Sequence, residues 1–473
     1  MDSPETDNHQ FTRRLFAVFD PEGEARGVFH RVITHERIES PDHFFEGIGL
    51  MLQRSACPAP DHIYRPDASD GVQVLFDSIQ RRTFAYFWEG AHPVSGLAYD
   101  RRLTYGEPKN DLIAVGASGF SFIAMVIGIY RGWIAPREAL ERLGRMLSML
   151  EKTTRYHGAF PHFINGATGE TVPFSRVDDG GDLVETALLV QGMICAREFF
   201  CGADPVEAII RKRIDSIIDQ IEWDWYTKGG KATLFWHWSP KHGWRKNLTV
   251  SGWNEALMTY VLALGARTYA IDADLYHSGW ARFGHFRNGA SYYGLELPLG
   301  KPFGGPLFLS QLPFCVLDPR LWQDGYADYW QQASAHAAVN YRHCLENPHN
   351  YREYGPNCWG LTACHGPDGY LICCPVNDMG IVAPSASLSS FPFLPEQAET
   401  ALRFFLSYQS GRLLGRFGFV DAFAPETGWV ARTSLALNQG STLAMIENYR
   451  TGLLWKLFAK ASEWQKARRL IAN

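Results

Sequence analysis

The chain has 473 residues, 46% hydrophobic and 20% charged, with a formal net charge of −5. That is ample apolar material for a large core and argues against disorder, and the absence of excess positive charge gives no electrostatic footprint for nucleic acid. No run of about 18 apolar residues occurs, so no membrane-spanning helix is expected.

Residues 1–69 read as an N-terminal extension. Two β-prone runs, 15–20 and 28–35, flank Pro21-Glu22-Gly23-Glu24 and predict a hairpin. Residues 43–54 predict a short helix, and 58–70 a polar linker. The start, Met1-Asp2-Ser3-Pro4-Glu5, has neither the basic nor the apolar part of a secretory signal. From residue 70 onward the pattern becomes a succession of helices. They are expected over 74–89, 111–130, 136–152, 182–200, 205–223, 254–267, 321–345, 395–408 and 441–459. The long connections, 99–110, 156–180, 224–252, 288–305, 347–390 and 411–440, are rich in Gly, Pro and Trp. Strand–helix alternation is missing, which excludes a doubly wound sheet or a (β/α)₈ barrel. Helices joined alternately by tight turns and long loops point to an all-α (α/α)₆ barrel spanning 70–473. Its aromatic-rich loops would wall a cleft.

The cysteines are Cys57, Cys195, Cys201, Cys315, Cys344, Cys358, Cys364, Cys373 and Cys374, an odd set of nine. In so long a chain this favours reduced thiols and a cytoplasmic location. Cys358, Cys364, Cys373 and Cys374 lie near His365 but lack C-x-x-C spacing, and His237 with His242 has no third ligand at diagnostic spacing. No metal or cofactor is expected.

Chemistry concentrates in the loops. Asp178-Asp179-Gly180-Gly181-Asp182-Leu183-Val184-Glu185 places four carboxylates within eight residues at the start of an apolar helix. Asp182 and Glu185, three apart, share a helix face. Two readings stand together: acids complementing a helix N-terminus, or a carboxylate pair fixed at the mouth of a pocket. The same pair of readings applies to Glu255, which opens another apolar helix beside Trp253. Burial there would keep its carboxyl protonated as an acid. Aromatic residues make up 14% of the chain, with 15 Trp. Flat rings without a positive field suit the C–H faces of sugars better than nucleotides. Glycoside cleavage divides its work between two carboxylates.

At these residues the chain resembles the glycoamylase-like domain. The carrying segments are Asp182-Leu183-Val184-Glu185-Thr186, Trp253-Asn254-Glu255-Ala256-Leu257, Lys301-Pro302-Phe303-Gly304-Gly305-Pro306-Leu307-Phe308 and Asn357-Cys358-Trp359-Gly360-Leu361-Thr362. Met445-Ile446-Glu447-Asn448-Tyr449-Arg450-Thr451-Gly452-Leu453-Leu454-Trp455 is a further one. The domain is typified by the endo-β-1,2-glucanases of glycoside hydrolase family 144 and related to the cyclisation region of cyclic β-1,2-glucan synthases. The resemblance implies an (α/α)₆ barrel whose acidic cleft binds β-1,2-glucan and hydrolyses it with inversion. By the same resemblance Asp182 and Glu185 match the family's acidic pair, and Glu255 is assigned as general acid. Asp421 matches an aspartate in a Phe-x-Asp-Ala-Phe loop lining the cleft.

Two positions depart from the family pattern: Asn438 and His365 stand where aspartates are usual. An amide is no base at neutral pH, so water activation falls to Asp421, Asp182 or a water relay, or glucosyl units are transferred instead. Trp236, Trp238, Trp253 and Trp359 are the stacking candidates. His237, Asn254, His365, Asn438 and Arg450 are candidate hydroxyl partners. Glu447 and Arg450, in an apolar helix, are expected to form a buried ion pair.

The resulting expectation is a glycoside hydrolase of β-1,2-glucan or its oligosaccharides. A glucan transferase, a sugar isomerase and a non-catalytic glucan-binding protein are the alternatives. The isomerase reading is weakened by central acids where such enzymes pair histidines.

Overall fold

Long buried helices make the framework, and short strands occupy the connections between them. The structure, a computed structural model, describes residues 66–472, which fall in one contact-defined unit, Tyr64–Asn473. The hairpin and helix expected before residue 55 lie outside the described residues. The long helices are α1 (Val72–Trp88), α2 (Val115–Tyr130), α3 (Pro136–Lys152), α4 (Leu183–Phe199), α5 (Pro205–Ile218) and α6 (Leu257–Gly265). After them come α7 (Tyr329–Glu346), α8 (Pro395–Ser407), α9 (Ala436–Thr451), α10 (Leu453–Phe458) and α11 (Ser462–Ile471).

The helices sort by how much of their surface is apolar. In α3 one face is buried and the other charged, with Pro136 at its first position and Glu138 Oε2 accepting from Ala135 N at 2.9 Å. α2 is buried from Val115 to Gly128, and α4 on nearly every side. A helix apolar all round belongs inside. These two pack on each other more extensively than any other pair of elements. Their approach is backbone to backbone: a Cβ on Gly192 would stand 2.0 Å from Gly119 O, and one on Gly119 2.1 Å from Leu188 O. Only glycine permits this contact.

Strands appear where unbroken loops were expected. Among the described residues there are eight small sheets, seven two-stranded and one three-stranded. In β1 (Arg101–Leu103) the chain pairs with β17 (Thr433–Leu435), joining the early part of the unit to its end. The helix expected from residue 111 begins at Val115, because β2 (Leu112–Ala114) pairs with β3 (Phe163–Asn165) first. The helix expected from 254 begins at Leu257, since Asn254 Oδ1 accepts from Ala256 N at 2.9 Å and holds a turn. The one expected from 321 starts at Tyr329, with Asp328 accepting from Gln331 N at its N-terminus. The 441–459 pattern starts earlier, at Ala436, and divides into α9 and α10 at Gly452, whose φ is 65°.

Buried ions cross-link the helices. Arg197 of α4 donates to Glu463 of α11 at 2.8 and 2.7 Å and to Asp215 of α5 at 2.8 Å. Glu447 and Arg450 do not pair with each other as expected. Glu447 binds Arg131 at 2.9 Å through both oxygens, and Arg450 reaches Asp77 at 2.7 Å. Three residues apart on α9, they face different neighbours, and Gln80 bridges them at 3.1 and 2.7 Å.

Substituting Gly192→Ala should destabilise the fold. Overpacking costs about 3 kcal/mol, offset by about 1 kcal/mol of better helix propensity. A urea midpoint that stays put or rises would show that the α2–α4 contact is looser than described.

Candidate active site

The acid stretch divides into two jobs. Asp178 and Asp179 hold the loop: Asp179 accepts from Ser239 Oγ at 2.5 Å, and Asp178 pairs with Lys246 and lies 3.1 Å from His237 Nε2. Asp182 ends β5 (Gly181–Asp182), which pairs with β7 (His237–Trp238) so that Asp182 faces His237 in register. It then caps α4, its Oδ1 accepting from Val184 N at 3.0 Å and Glu185 N at 2.9 Å. Oδ2 takes His162 Nδ1 at 3.1 Å and Trp236 Nε1 at 3.2 Å. With four donors on one carboxylate, Asp182 is a committed anion. Burial works against its charge, but the bond from His162 and that residue's charge hold its pKa below the ordinary value.

Glu185 lies on the other side of His162, with Oε1 4.0 Å from Nε2. Its Oε2 accepts from Gly116 N at 2.7 Å, at the first turn of α2. A Cβ on Gly116 would stand 2.5 Å from that oxygen, so the α2–α4 contact admits the carboxylate. Burial raises Glu185 to about 7, against the attraction of His162. For His162, burial opposes the proton but Glu185 and the bond to Asp182 overcome it, and its pKa is raised to about 9. His162 is thus a cation fixed between two acids.

Glu255 stands in the turn before α6 and is buried. Burial raises its carboxyl to about 7, with its own backbone N–H opposing and the charges of Glu185 and Asp182 adding to the rise. Asp421 is 1% exposed. It accepts from His365 N at 2.5 Å and Asn438 Nδ2 at 2.8 Å. Burial raises it to about 6, those two bonds and Arg101 oppose, and Asp100 adds to the rise. Asp100 also raises Glu185, so one continuous field links Glu255, Asp182, Glu185, Asp100 and Asp421. Arg101 connects its far end, bonding Asp100 at 2.9 Å and contacting His365 Nδ1 at 3.4 Å.

The expected binding residues separate. Trp236 is buried and tied to Asp182. His237 is buried in the β5–β7 pair, and burial lowers its pKa. Trp238 is half-buried, edge-on to His157 at 5.0 Å and to Trp225 at 6.2 Å. Trp253 is core: its Nε1 donates to Ser310 Oγ at 3.1 Å and its ring packs on Trp280, Phe314 and Tyr329. Trp359 is core too, 0% exposed and bonded to Gln397 O, with no ring face left for a sugar. Asn254 is engaged in its turn. Asn438 and His365 both serve Asp421.

Sequence reasoning missed His162, Asp100 and Arg101. All three lie in or at the edge of connections already marked as long and aromatic, but no spacing pairs a histidine with acids twenty residues on. It also missed Trp225, 39% exposed and stacked 3.6 Å from His157.

The Glycoamylase family model ("Putative glucoamylase") matches residues 247–462. Over 413 residues the chain is 41% identical to the exo β-1,2-glucooligosaccharide sophorohydrolase (non-reducing end) of Parabacteroides distasonis, over 83% of this chain and 57% of that protein. The chain thus spans little more than half the length of this curated relative. The endo-β-1,2-glucanase of Chitinophaga pinensis, solved with sophorotriose and glucose, superposes with a TM-score of 0.83 at 40% identity, over 85% of this chain and 98% of that one. The endo-β-1,2-glucanase of Talaromyces funiculosus, solved with sophorose, shares the fold at 12% identity, with a TM-score of 0.58 over 84% of this chain and 92% of that one.

The raised pKa of His162 makes a pH signature. A cation favoured by the fold stabilises fully below its unfolded value of 6.5 and loses that contribution as pH rises through about 9. Urea unfolding of wild type and His162→Gln should therefore show a gap that is widest just below pH 6.5 and narrows as pH rises through about 9. A gap of constant size would mean that His162 is held neutral.

Proposed function

The chain belongs to the glycoamylase-like family that includes the β-1,2-glucan hydrolases, and we propose that it hydrolyses β-1,2-glucan or its oligosaccharides by acid–base catalysis. The observation that carries this reading is the buried acid field, in which two carboxyls, Glu255 at about 7 and Asp421 at about 6, have pKa values moved toward neutrality. Carboxyls so placed exchange protons at working pH, whereas ordinary surface acids stay ionised. The (α/α)₆ arrangement belongs to the same proposal, supported by the succession of helices α1 to α11 with their long connections.

Glu255 is the general acid. Its buried carboxyl keeps a proton near neutral pH and delivers it to the glycosidic oxygen as the bond breaks. Asp421 is the group that draws a proton from water. The two donors on it, His365 N and Asn438 Nδ2, hold the carboxylate in place and ready to accept. An aspartate at 438 would set a second negative charge against it; the amide supplies a donor instead. Asp182, held ionised by four donors where Asp421 has two, and His162 orient the site and balance its charge. Trp238 and Trp225 offer ring faces to sugar. A second reading, transfer of glucosyl units to another sugar, is favoured by one observation: no second carboxylate stands at position 438 to share water activation.

The purified chain incubated with linear β-1,2-glucan should yield shortened oligosaccharides. Sophorose alone would mark exo action and a ladder endo action; longer products alongside shorter ones would favour transfer. Glu255→Gln should lower kcat by roughly 10²- to 10⁴-fold with KM little changed. For wild type, kcat/KM should rise as Asp421 ionises through about 6 and fall as Glu255 deprotonates through about 7. Full activity in Glu255→Gln would remove it as the acid.

A further inference from the structure

Away from the acid field, His343, His349 and Asp378 converge. Each offers one ligand atom, and the three atoms lie within 4.8 Å of one another. We propose that these residues form a divalent metal site, its two imidazoles and one carboxylate suited to zinc.

The geometry is prepared around two of the ligands. His343, buried near the end of α7, has Nε2 2.8 Å from Asp378 Oδ2 and Nδ1 2.8 Å from the Tyr293 hydroxyl. Asp378 Oδ1 is occupied by Tyr354 OH at 2.9 Å and Gly380 N at 3.0 Å, which leaves Oδ2 directed at the imidazole. When Tyr293 accepts the Nδ1 proton, Nε2 presents a bare lone pair to a carboxylate oxygen, an arrangement that a bound cation satisfies. Outer partners of this kind fix the tautomer of metal-binding histidines.

A shared proton would satisfy His343 and Asp378 equally well, but it gives His349 no part. His349 is exposed yet held in place. The loop after α7 turns through left-handed residues Asn347, Asn350 and Glu353, at φ 46°, 57° and 65°. Asn347 pins it shut, donating to Tyr351 O at 2.8 Å and accepting from Tyr351 N at 2.9 Å. The His349 ring rests against Tyr351 and 6.2 Å from His343. Tetrahedral zinc bonds of about 2.0–2.1 Å set ligand atoms about 3.3 Å apart. The His343–Asp378 pair then opens by about half an ångström, and the exposed imidazole closes from the solvent side. Water completes the shell.

Such an ion would tie the end of α7 to the segment after β12 (Gly369–Ile372). That strand forms a hairpin with β11 (Ala363–Gly366), which carries His365 and so the N–H on Asp421. The expected effect is therefore on stability.

The test is calorimetric titration of zinc chloride into chelator-stripped, full-length protein, with a thermal melt alongside. The expected result is one zinc per chain and a raised Tm. His349→Ala, at an exposed position, should lose both while its metal-free melt stays unchanged. Tyr293→Phe should bind about tenfold more weakly. Cys201→Ser, removing an exposed thiol, should bind as wild type does. Absence of saturable uptake, or equal uptake by wild type and His349→Ala, overturns the proposal.

Discussion

α2 and α4 touch backbone to backbone at Gly119 and Gly192, and the acid field is built on that contact. It sets Gly116 N against Glu185 Oε2, in the first turn of α4. The same helix is capped by Asp182, so both acids are located by main chain rather than by flexible side-chain contacts. Close-packed interiors transmit such constraints, because a helix that cannot slide cannot let its first turn drift. The buried Arg197 cluster ties the far end of α4 to α5 and α11.

Within that frame a single cation organises the charge. His162 lies between Asp182 and Glu185 and is drawn toward the charged form by both. Without it, two buried carboxylates on one helix face would repel, and both would rise. The field is graded as a result. Asp182 is held ionised, while Glu255 and Asp421, where burial dominates, sit close to neutrality at about 7 and 6. The same carboxyl group takes opposite protonation tendencies because its surroundings differ.

How much of this the sequence disclosed depends on the range of each interaction. Helix faces and caps are local, and α1, α3 and α8 were legible to within about two residues at each end, the ordinary margin for helix ends. The acid stretch, Glu255 and the Asn438 substitution were legible as well, through position or resemblance. Strands such as β2 were not, because two or three residues carry no periodicity and owe their form to a partner fifty residues away. The burial of Trp253 and Trp359 was equally hidden: sequence shows an aromatic residue but not which faces of it are covered. The partnership of Asn438 with Asp421 depends on a loop folding back on its own following helix. His343, His349 and Asp378 have no diagnostic spacing, and only the loop geometry brings them together.

The pairing of Arg101–Leu103 with Thr433–Leu435 spans more than three hundred residues and has a consequence for synthesis. A ribosome delivers Asp182, Glu185 and Glu255 long before Asp421, and α2 and α4 can pack as soon as both have emerged. β1 must wait for its partner until residues 433–435 have emerged, and closing so long a loop is entropically late. The nascent protein therefore holds one side of its acid field preassembled and inert. A chain ended before residue 433 would keep α1 to α8 yet lack the Thr433 carbonyl that accepts from Asp421 N, so the acid set is complete only once that strand has emerged.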